Sequence, residues 1–330
     1  MHRWTDLSQV PAEFGPSVVT IGNFDGVHRG HRSVLARMVA AARAVEGAAV
    51  AVTFHPHPAT VHNPQNAPQL ITGIADRMEL LADTGLDAVL LIEYTLEFAQ
   101  ATPEKFVRRY LVDGLHAATV VVGRDVRFGR GNAGDLTTMV ELGRRYGFAV
   151  EVLEDVHGHG LTPESRRWSS SWVRELLAVG DVVGVAEILG RPHRVRGTVV
   201  HGDARGRELG YPTANLAQDA TGMVPADGVY AGWMRRVGFP PDHPDAYLPV
   251  AISIGTNPTF DGVRRRVEAH VPDRTDLDLY DEEVVLEFVA RLRPTVRFDS
   301  VEELVTQMDR DVAHVRDLLR ARPAVARGGR

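Results

Sequence analysis

Val18-Val19-Thr20-Ile21-Gly22-Asn23-Phe24-Asp25-Gly26-Val27-His28-Arg29-Gly30-His31 is the stretch whose reading decides the fold. The apolar run Val18 to Ile21 predicts a strand, and Asn23 to Gly26 predicts a loop. His28 to Arg43 predicts a helix, because Val34, Leu35, Met38 and Val39 recur at helical spacing. Outward from it, Ala49 to Phe54, Asp87 to Ile92 and Thr119 to Val122 are further short apolar runs separated by helical stretches. Thr102-Pro103 offers an N-cap followed by a proline at the first helical position, and Asp135 can cap a helix running toward Tyr146. Strands alternating with helices predict an α/β half with a parallel sheet, Rossmann-like, whose ligands sit beyond the carboxyl ends of the strands.

The grammar changes after Pro192. Ser169 to Leu189 reads as one or two short helices broken at Gly180-Asp181, and then strands follow without helices between them: Arg194 to Val200, Gly228 to Met234, Leu248 to Ile254, Arg266 to Val271 and Glu283 to Leu292. Loops rich in Gly, Pro and Asp join them, which predicts a small antiparallel barrel or sandwich. Ser300 to Leu319 reads as a closing helix, and Ala321 to Arg330 as a basic, frayed tail. The boundary is expected near residues 183 to 192, giving domains 1–186 and 187–330.

The chain has 330 residues, which favours two domains over one core. Hydrophobic residues make up 44% and charged residues 24%, an ordinary balance for a globular protein. A net charge of −6 shows no basic excess, so a nucleic-acid partner held by phosphate neutralisation is not expected. With no cysteine there is no disulfide, thiolate nucleophile or cysteine metal site. Met1 to Phe14 lacks the apolar core of a signal peptide, and no stretch approaches a membrane span, so a cytoplasmic enzyme with no membrane partner is expected. A homo-oligomer stays open.

Two constellations carry chemistry. At the start of the first helix, His28 and His31 are three apart and share a face, where unpaired amides and the helix dipole favour phosphate. The alternative is a capped helix with two surface histidines. Asp25 either orients a histidine or fixes the loop. In the second half, Gly197 to Gly202, Arg205-Gly206-Arg207 and Leu209-Gly210-Tyr211-Pro212-Thr213-Ala214-Asn215 crowd glycines and arginines before two neutral oxygens. Glycines permit close backbone approach to a phosphate, and Thr213 and Asn215 suit a magnesium ion that carries phosphates. Glu268 lies in a strand-like segment with Val267 and Ala269 on the opposite face; a solvated strand position would explain it equally well. His55, His57, His62, His157 and His159 share no firm ligand spacing with a carboxylate, so no structural metal is expected.

These motifs, in order, resemble the bacterial bifunctional riboflavin kinases/FAD synthetases (FMN adenylyltransferases) over nearly the whole chain. For the N-terminal half the resemblance rests on the His-x-Gly-His pattern after Phe24-Asp25-Gly26, on Thr53 to Pro58, on Gly123 to Gly129, and on Ser169-Ser170-Ser171 with Arg174. Arg124 and Val126 stand where the family commonly has Glu and Phe, and Trp172 where it often has a charged residue. For the C-terminal half it rests on the 197–215 block, Pro225 to Ala231, Ser253 to Phe260, Val267 to His270 and Asp276 to Tyr280. The resemblance implies that ATP phosphorylates riboflavin to FMN at a C-terminal site, and that FMN is adenylylated to FAD at an N-terminal one.

It also implies the site residues. His28 and His31 are the expected catalytic groups of adenylyl transfer. Gly22, Asn23, Phe24, Asp25, Gly26, Gly30, Ser169, Ser170, Ser171 and Arg174 would bind ATP there, the serines also being readable as an N-cap for a helix from about Val173. His57, Pro58, Asp125, Arg127 and Phe128 would bind the flavin. In the kinase half, Glu268 is the expected base. Gly197, Gly202, Arg205, Gly206, Arg207, Gly210, Pro212 and Asn257 would bind ATP, and Thr213 and Asn215 Mg2+. Alternatives are a kinase joined to a weakened adenylyltransferase, or a flavin sensor without turnover.

Overall fold

The computed structural model describes residues 1–153, 166–202, 206, 209–259 and 262–321, of which 257–259, 262–264 and 321 are described by backbone alone. The expected frayed tail beyond Ala321 lies outside them. Two units separate: Met1–Pro68 with Ile74–Ser169, and Gln69–Gly73 with Ser170 onward.

The first unit is built on a parallel sheet of β1 (His2–Trp4), β2 (Ser17–Ile21), β3 (Ala48–His55), β4 (Ala88–Glu93), β5 (Ala117–Gly123) and β6 (Ala149–Leu153), in the order β1-β4-β3-β2-β5-β6. Helices α1 (Arg29–Ala44), α2 (Pro58–His62), α3 (Ile74–Ala82), α4 (Pro103–Phe106) and α5 (Leu136–Tyr146) connect the strands. Sheets covered on both faces need strands that are apolar throughout, which is why Val50, Ala51 and Val52 are all buried. The order reverses at β2, whose neighbours are β3 on one side and β5 on the other. The loops leaving β2 and β5 therefore flank a crevice at the switch point, where α/β sheets bind ligands.

The expected caps hold: Thr102 Oγ1 accepts the Lys105 amide at 3.2 Å, and Asp135 the Thr138 amide at 2.9 Å. The first helix starts one residue later than predicted, because His28 is its N-cap. Strands β1 and β6 went unpredicted; β1 has three residues, of which only Trp4 is buried, too short to show a period.

The second unit holds α6 (Ser170–Val179), α7 (Val182–Leu189) and a closed antiparallel barrel. Its strands are β7 (His193–Val200), β8 (Thr213–Leu216), β9 (Gly228–Arg236), β10 (Tyr247–Thr259), β11 (Gly262–His270) and β12 (Glu283–Arg293), in the closed order β10-β11-β8-β7-β12-β9. Alternate residues fill the interior: Val284, Leu286 and Phe288 of β12 meet Ile252 and Ile254 of β10 and Tyr230 of β9. Strand β8 was unpredicted, since its four residues were read as part of a binding block. Helix α8 (Val301–Ala321) closes the unit, packing Val315 and Leu319 against Ala231 and Val289. Ser300 accepts the Glu303 amide at 3.1 Å and starts it. Arg194 of β7 and Glu287 of β12, paired in register, form a buried ion pair at 2.6 Å.

Helix α6 begins at Ser170, within one residue of the helical stretch expected from Ser169. That is three residues before the start that the N-cap reading of the serines implied, so Ser170 and Ser171 lie within its first turn. Val182 of α7 belongs to the barrel core. Fragments 170–330 and 184–330 should therefore differ. Loss of one fully buried valine alone removes roughly 1.5–3 kcal/mol, so 184–330 should unfold at a clearly lower urea concentration. Coincident urea midpoints would show that α6 and Val182 do not support the barrel.

Candidate active sites

In the first unit, the β2–α1 connection brings the two histidines together. His28 Nδ1 accepts the His31 amide at 3.3 Å, and the two rings stack with centroids 3.7 Å apart and 19° between planes. Their shared face is as expected, but they are not surface residues: His28 is 5% exposed. His31 keeps a partly exposed edge, while its Nδ1 is enclosed and makes no hydrogen bond among the described residues. Burial, then the neighbouring His28 and Arg167, hold the His31 imidazolium well below the usual 6.5. At neutral pH His31 is thus an uncharged ring. A Cβ on Gly30 would lie 3.0 Å from the His28 ring, so any larger residue there would press on the stack.

The loop that delivers them is strained. Phe24 and Val27 both sit at positive φ, +48° and +39°. Such conformations cost on the order of 1–3 kcal/mol each, and most for a β-branched residue. Phe24, Asp25 and Val27 are buried, and Gly22 and Gly26 complete the turn. Beneath the loop, Thr53 Oγ1 donates to the Asn23 carbonyl at 3.3 Å. Arg77 of α3 donates to the same carbonyl at 2.7 Å and to the Phe54 carbonyl at 3.1 Å. Sequence reading missed Arg77, because an arginine on an amphipathic helix looks like a solvated charge.

Beyond the carboxyl ends of β2, β3 and β4 opens a cavity of about 670 Å³, lined by Gly22, Asn23, His57, Pro58, Arg127 and Phe128 together with a wall of aromatic rings. Of these rings, Phe54, Tyr94, Phe98 and Phe106 were not anticipated. Phe54 comes from β3 and the other three from residues 94–106, and they meet edge-to-face or tilted at 5.3–6.1 Å. The size suits a drug-sized or cofactor-sized ligand. Val126 is also in the lining, whereas Asp125 is not; it pairs with Arg167 at 2.9 Å. His57 caps α2, its Nδ1 accepting the Ala59 amide at 3.1 Å, and His62 meets the Tyr94 hydroxyl at 2.9 Å. Ser169 ends the first unit. Ser170, Ser171 and Arg174 open α6 in the second, where Arg174 Nε donates to the Gln69 carbonyl at 2.7 Å. Among the described residues no three His, Asp or Glu side chains gather into a metal site; His157 and His159 lie outside them.

In the barrel, the register of β8 against β11 sets Asn215 opposite Glu268, Ala214 opposite Ala269, and Thr213 opposite His270. Val267, Ala269, Ala214 and Leu216 point inward and are buried, so Thr213, Asn215 and Glu268 share the outer face. Directly opposed residues have Cβ atoms about 5 Å apart. Gly202 backs onto this group: a Cβ there would come within 2.4 Å of the Asn215 amide. Gly206 lies against Tyr211 and Thr213, while Gly197 packs on Ala220 in β7. A cavity of about 440 Å³ is lined by Gly210, Pro212, Thr213, Leu277, Leu279 and Tyr280, among others; Glu268 and Asn215 stand outside that lining. Arg205, Arg207 and the Asn257 side chain lie outside the described residues.

Helix α8 reaches both sides of this cavity. The Tyr211 hydroxyl donates to Asp309 at 2.5 Å; burial, reinforced by that carboxylate, pushes the phenol up to about 12. Arg316 pairs with Asp273 in the loop that carries Leu277 to Tyr280. His270 Nδ1 meets the Pro212 carbonyl at 2.9 Å, and burial lowers its pKa.

The buried His31 gives a pH signature. Between its depressed folded value and 6.5, the unfolded chain binds more protons than the folded one, so stability falls as pH drops below 6.5. Going from pH 7.5 to 5.5, the wild type should lose up to about 1.4 kcal/mol more unfolding free energy than His31→Asn. Equal losses in urea unfolding would show that His31 titrates normally.

Comparison with known proteins identifies the two units. The FAD synthetase family matches residues 10–167 and the riboflavin kinase family residues 189–319. The Escherichia coli K12 bifunctional riboflavin kinase/FMN adenylyltransferase is 35% identical over 312 residues, 94% of this chain and 95% of that protein. The Pseudomonas fluorescens enzyme of the same description is 36% identical over 313 residues, 94% and 96% of the two chains. A solved structure from Streptococcus pneumoniae, described as a macrolide-efflux protein, superposes with a TM-score of 0.81 at 29% identity, covering 96% of this chain and 98% of that one. No described helix is long and apolar enough to cross a membrane. With an FAD synthetase unit preceding a riboflavin kinase unit, and with relatives matched over both, the chain belongs to the bifunctional riboflavin kinase/FMN adenylyltransferase family.

Proposed function

We propose that residues 187–330 phosphorylate riboflavin on the outer face of β8 and β11, and that residues 1–186 adenylylate the resulting FMN at the β2–α1 loop. The observation that carries the kinase assignment is the register that sets Glu268 opposite Asn215. Glu268 takes the proton of the ribityl 5′-hydroxyl as that oxygen bonds to the γ-phosphorus of ATP and ADP leaves. Thr213 and Asn215 present neutral oxygens one residue apart, and the bare Gly202 leaves room beside the Asn215 amide, so the donor set fits a hard cation. A magnesium ion held there would neutralise charge on the phosphates. The cavity beside Thr213 and Tyr280 would take substrate.

In the first unit, the aromatic-lined cavity would hold the flavin ring. An FMN phosphate oxygen attacks the α-phosphorus of ATP, and pyrophosphate leaves. No covalent nucleophile is needed, only alignment and charge stabilisation. His28 and His31, stacked at the helix N-terminus, supply donors there; an approaching polyanion favours the His31 imidazolium that burial disfavours in the free protein.

Glu268→Gln keeps the size of the side chain but cannot accept the proton. It should lower the kcat for FMN formation by about 10² to 10⁴, roughly 3–5 kcal/mol of barrier, while FAD synthesis from supplied FMN stays unchanged. A fall of less than about tenfold would return Glu268 to a structural role. His28→Ala with His31→Ala should show the opposite pattern, abolishing FAD synthesis and sparing riboflavin phosphorylation. Equal loss of both activities in the folded variant would overturn the division of labour.

A further inference from the structure

Arg77 is a charged side chain with no place in either reaction as derived so far. It is 1% exposed, and burial lowers its pKa against the opposing pull of the Asp25 carboxylate. Charges are taken out of water only where hydrogen bonds replace the lost hydration. Here Nη1 donates to the Asn23 carbonyl at 2.7 Å and Nη2 to the Phe54 carbonyl at 3.1 Å, two prongs of one planar fork. Asn23 follows β2, and Phe54 lies near the end of β3. Both residues line the aromatic cavity, and Asn23 begins the loop whose positive-φ residues Phe24 and Val27 lead to His28. One guanidinium thus joins the wall of the cavity to the entry of the histidine loop.

We infer that Arg77 is a positioning residue for adenylyl transfer: by fixing the Asn23 carbonyl to the end of β3, it holds the strained loop in the conformation that presents His28 and His31 to the nucleotide. Thr53, on β3 itself, bonds the same carbonyl at 3.3 Å; Arg77 adds a shorter bond and a second prong to Phe54, and of the two it alone ties the loop to α3 as well. Asp25, buried in the same loop, places the countercharge beside the fork. The inference rests on the assignment of adenylyl transfer to this loop.

The test uses the full-length enzyme with FMN and Mg2+-ATP, and normalises kcat to the number of FMN-binding sites counted by flavin fluorescence titration. A residue that merely held the unit folded would reduce the number of sites and leave the rate per site unchanged. Arg77→Met, which keeps length and loses the donors, should lower kcat per site about 10²-fold, while Arg77→Lys, which can still donate to both carbonyls, should recover at least a tenth of the wild-type rate. Riboflavin phosphorylation should be unaffected in both. If Arg77→Met lost its sites altogether, Arg77→Gln would take its place in the comparison, with the same expected direction. A rate per site within about threefold of wild type in the Met or Gln variant, or a loss that Lys does not restore, overturns the inference. His28→Ala with His31→Ala in the same assay separates the two levels: retained FAD synthesis there sinks the site itself, whereas its loss beside an unaffected Arg77→Met sinks only the role of Arg77.

Discussion

Side chains on a strand point alternately to opposite faces, and the kinase unit depends on that constraint. A barrel this small must fill its own interior, so Ala214, Leu216, Val267 and Ala269 go inside and are buried. The residues between them, Thr213, Asn215 and Glu268, are thereby forced onto one outer face. The antiparallel register then decides which of them meet. A slip of one residue would turn Glu268 into the apolar interior and Ala269 out, exchanging a functional error for a large loss of stability. The geometry of the site is therefore protected by the energetics of the core.

The adenylyltransferase unit solves its positioning problem differently. Its crevice is bounded by loops, and loops have no ladder to fix them. The reversal of strand order at β2 creates the crevice, and aromatic residues from β3 and from the segment that follows β4 line it. What remains is to hold an irregular backbone in an unfavourable conformation. Buried polar groups do this: Thr53 and Arg77 pin a carbonyl, Asp25 balances the buried cation, and His28 uses its own ring as a cap. Polar burial is costly, and here it coincides with the part of the unit whose exact shape matters.

Most of the architecture was legible because it rests on period and punctuation. Apolar runs such as Ala49 to Phe54 declared the buried sheet, and the loss of helical spacing after Pro192 declared the barrel. Strand β1 was not legible, since three residues cannot display a repeat, and β8 was not, because its residues were read as part of a binding block. The site divided along similar lines. His28 with His31, and Thr213 with Asn215, stood out because each pair is local in sequence, and Glu268 because its segment matches the family motif. Tyr94, Phe98 and Phe106 did not, because they sit in a stretch with no motif to mark it, and Arg77 did not, because an arginine on a helix gives no sign of pointing inward. Asp125 was expected at the flavin but pairs with Arg167 outside the cavity lining, a choice set by a neighbour 42 positions away. The start of α6 and the burial of Val182 in the barrel also show that the second core recruits chain from before its first strand.

The contacts of α8 with the kinase cavity also bear on how the protein is made. Tyr211 reaches its partner Asp309 across 98 positions, and Asp273 reaches Arg316 across 43. Closing such spans carries an entropic cost that only the packed helix can offset. A chain emerging from the ribosome can complete the parallel sheet and its histidine loop long before residue 309 exists, but the rim of the kinase cavity must wait for nearly the last turn of the last helix. During synthesis the unit that makes FAD is thus finished before the unit that makes its substrate, and a chain cut short within α8 would keep the later step of the pathway while losing the earlier one.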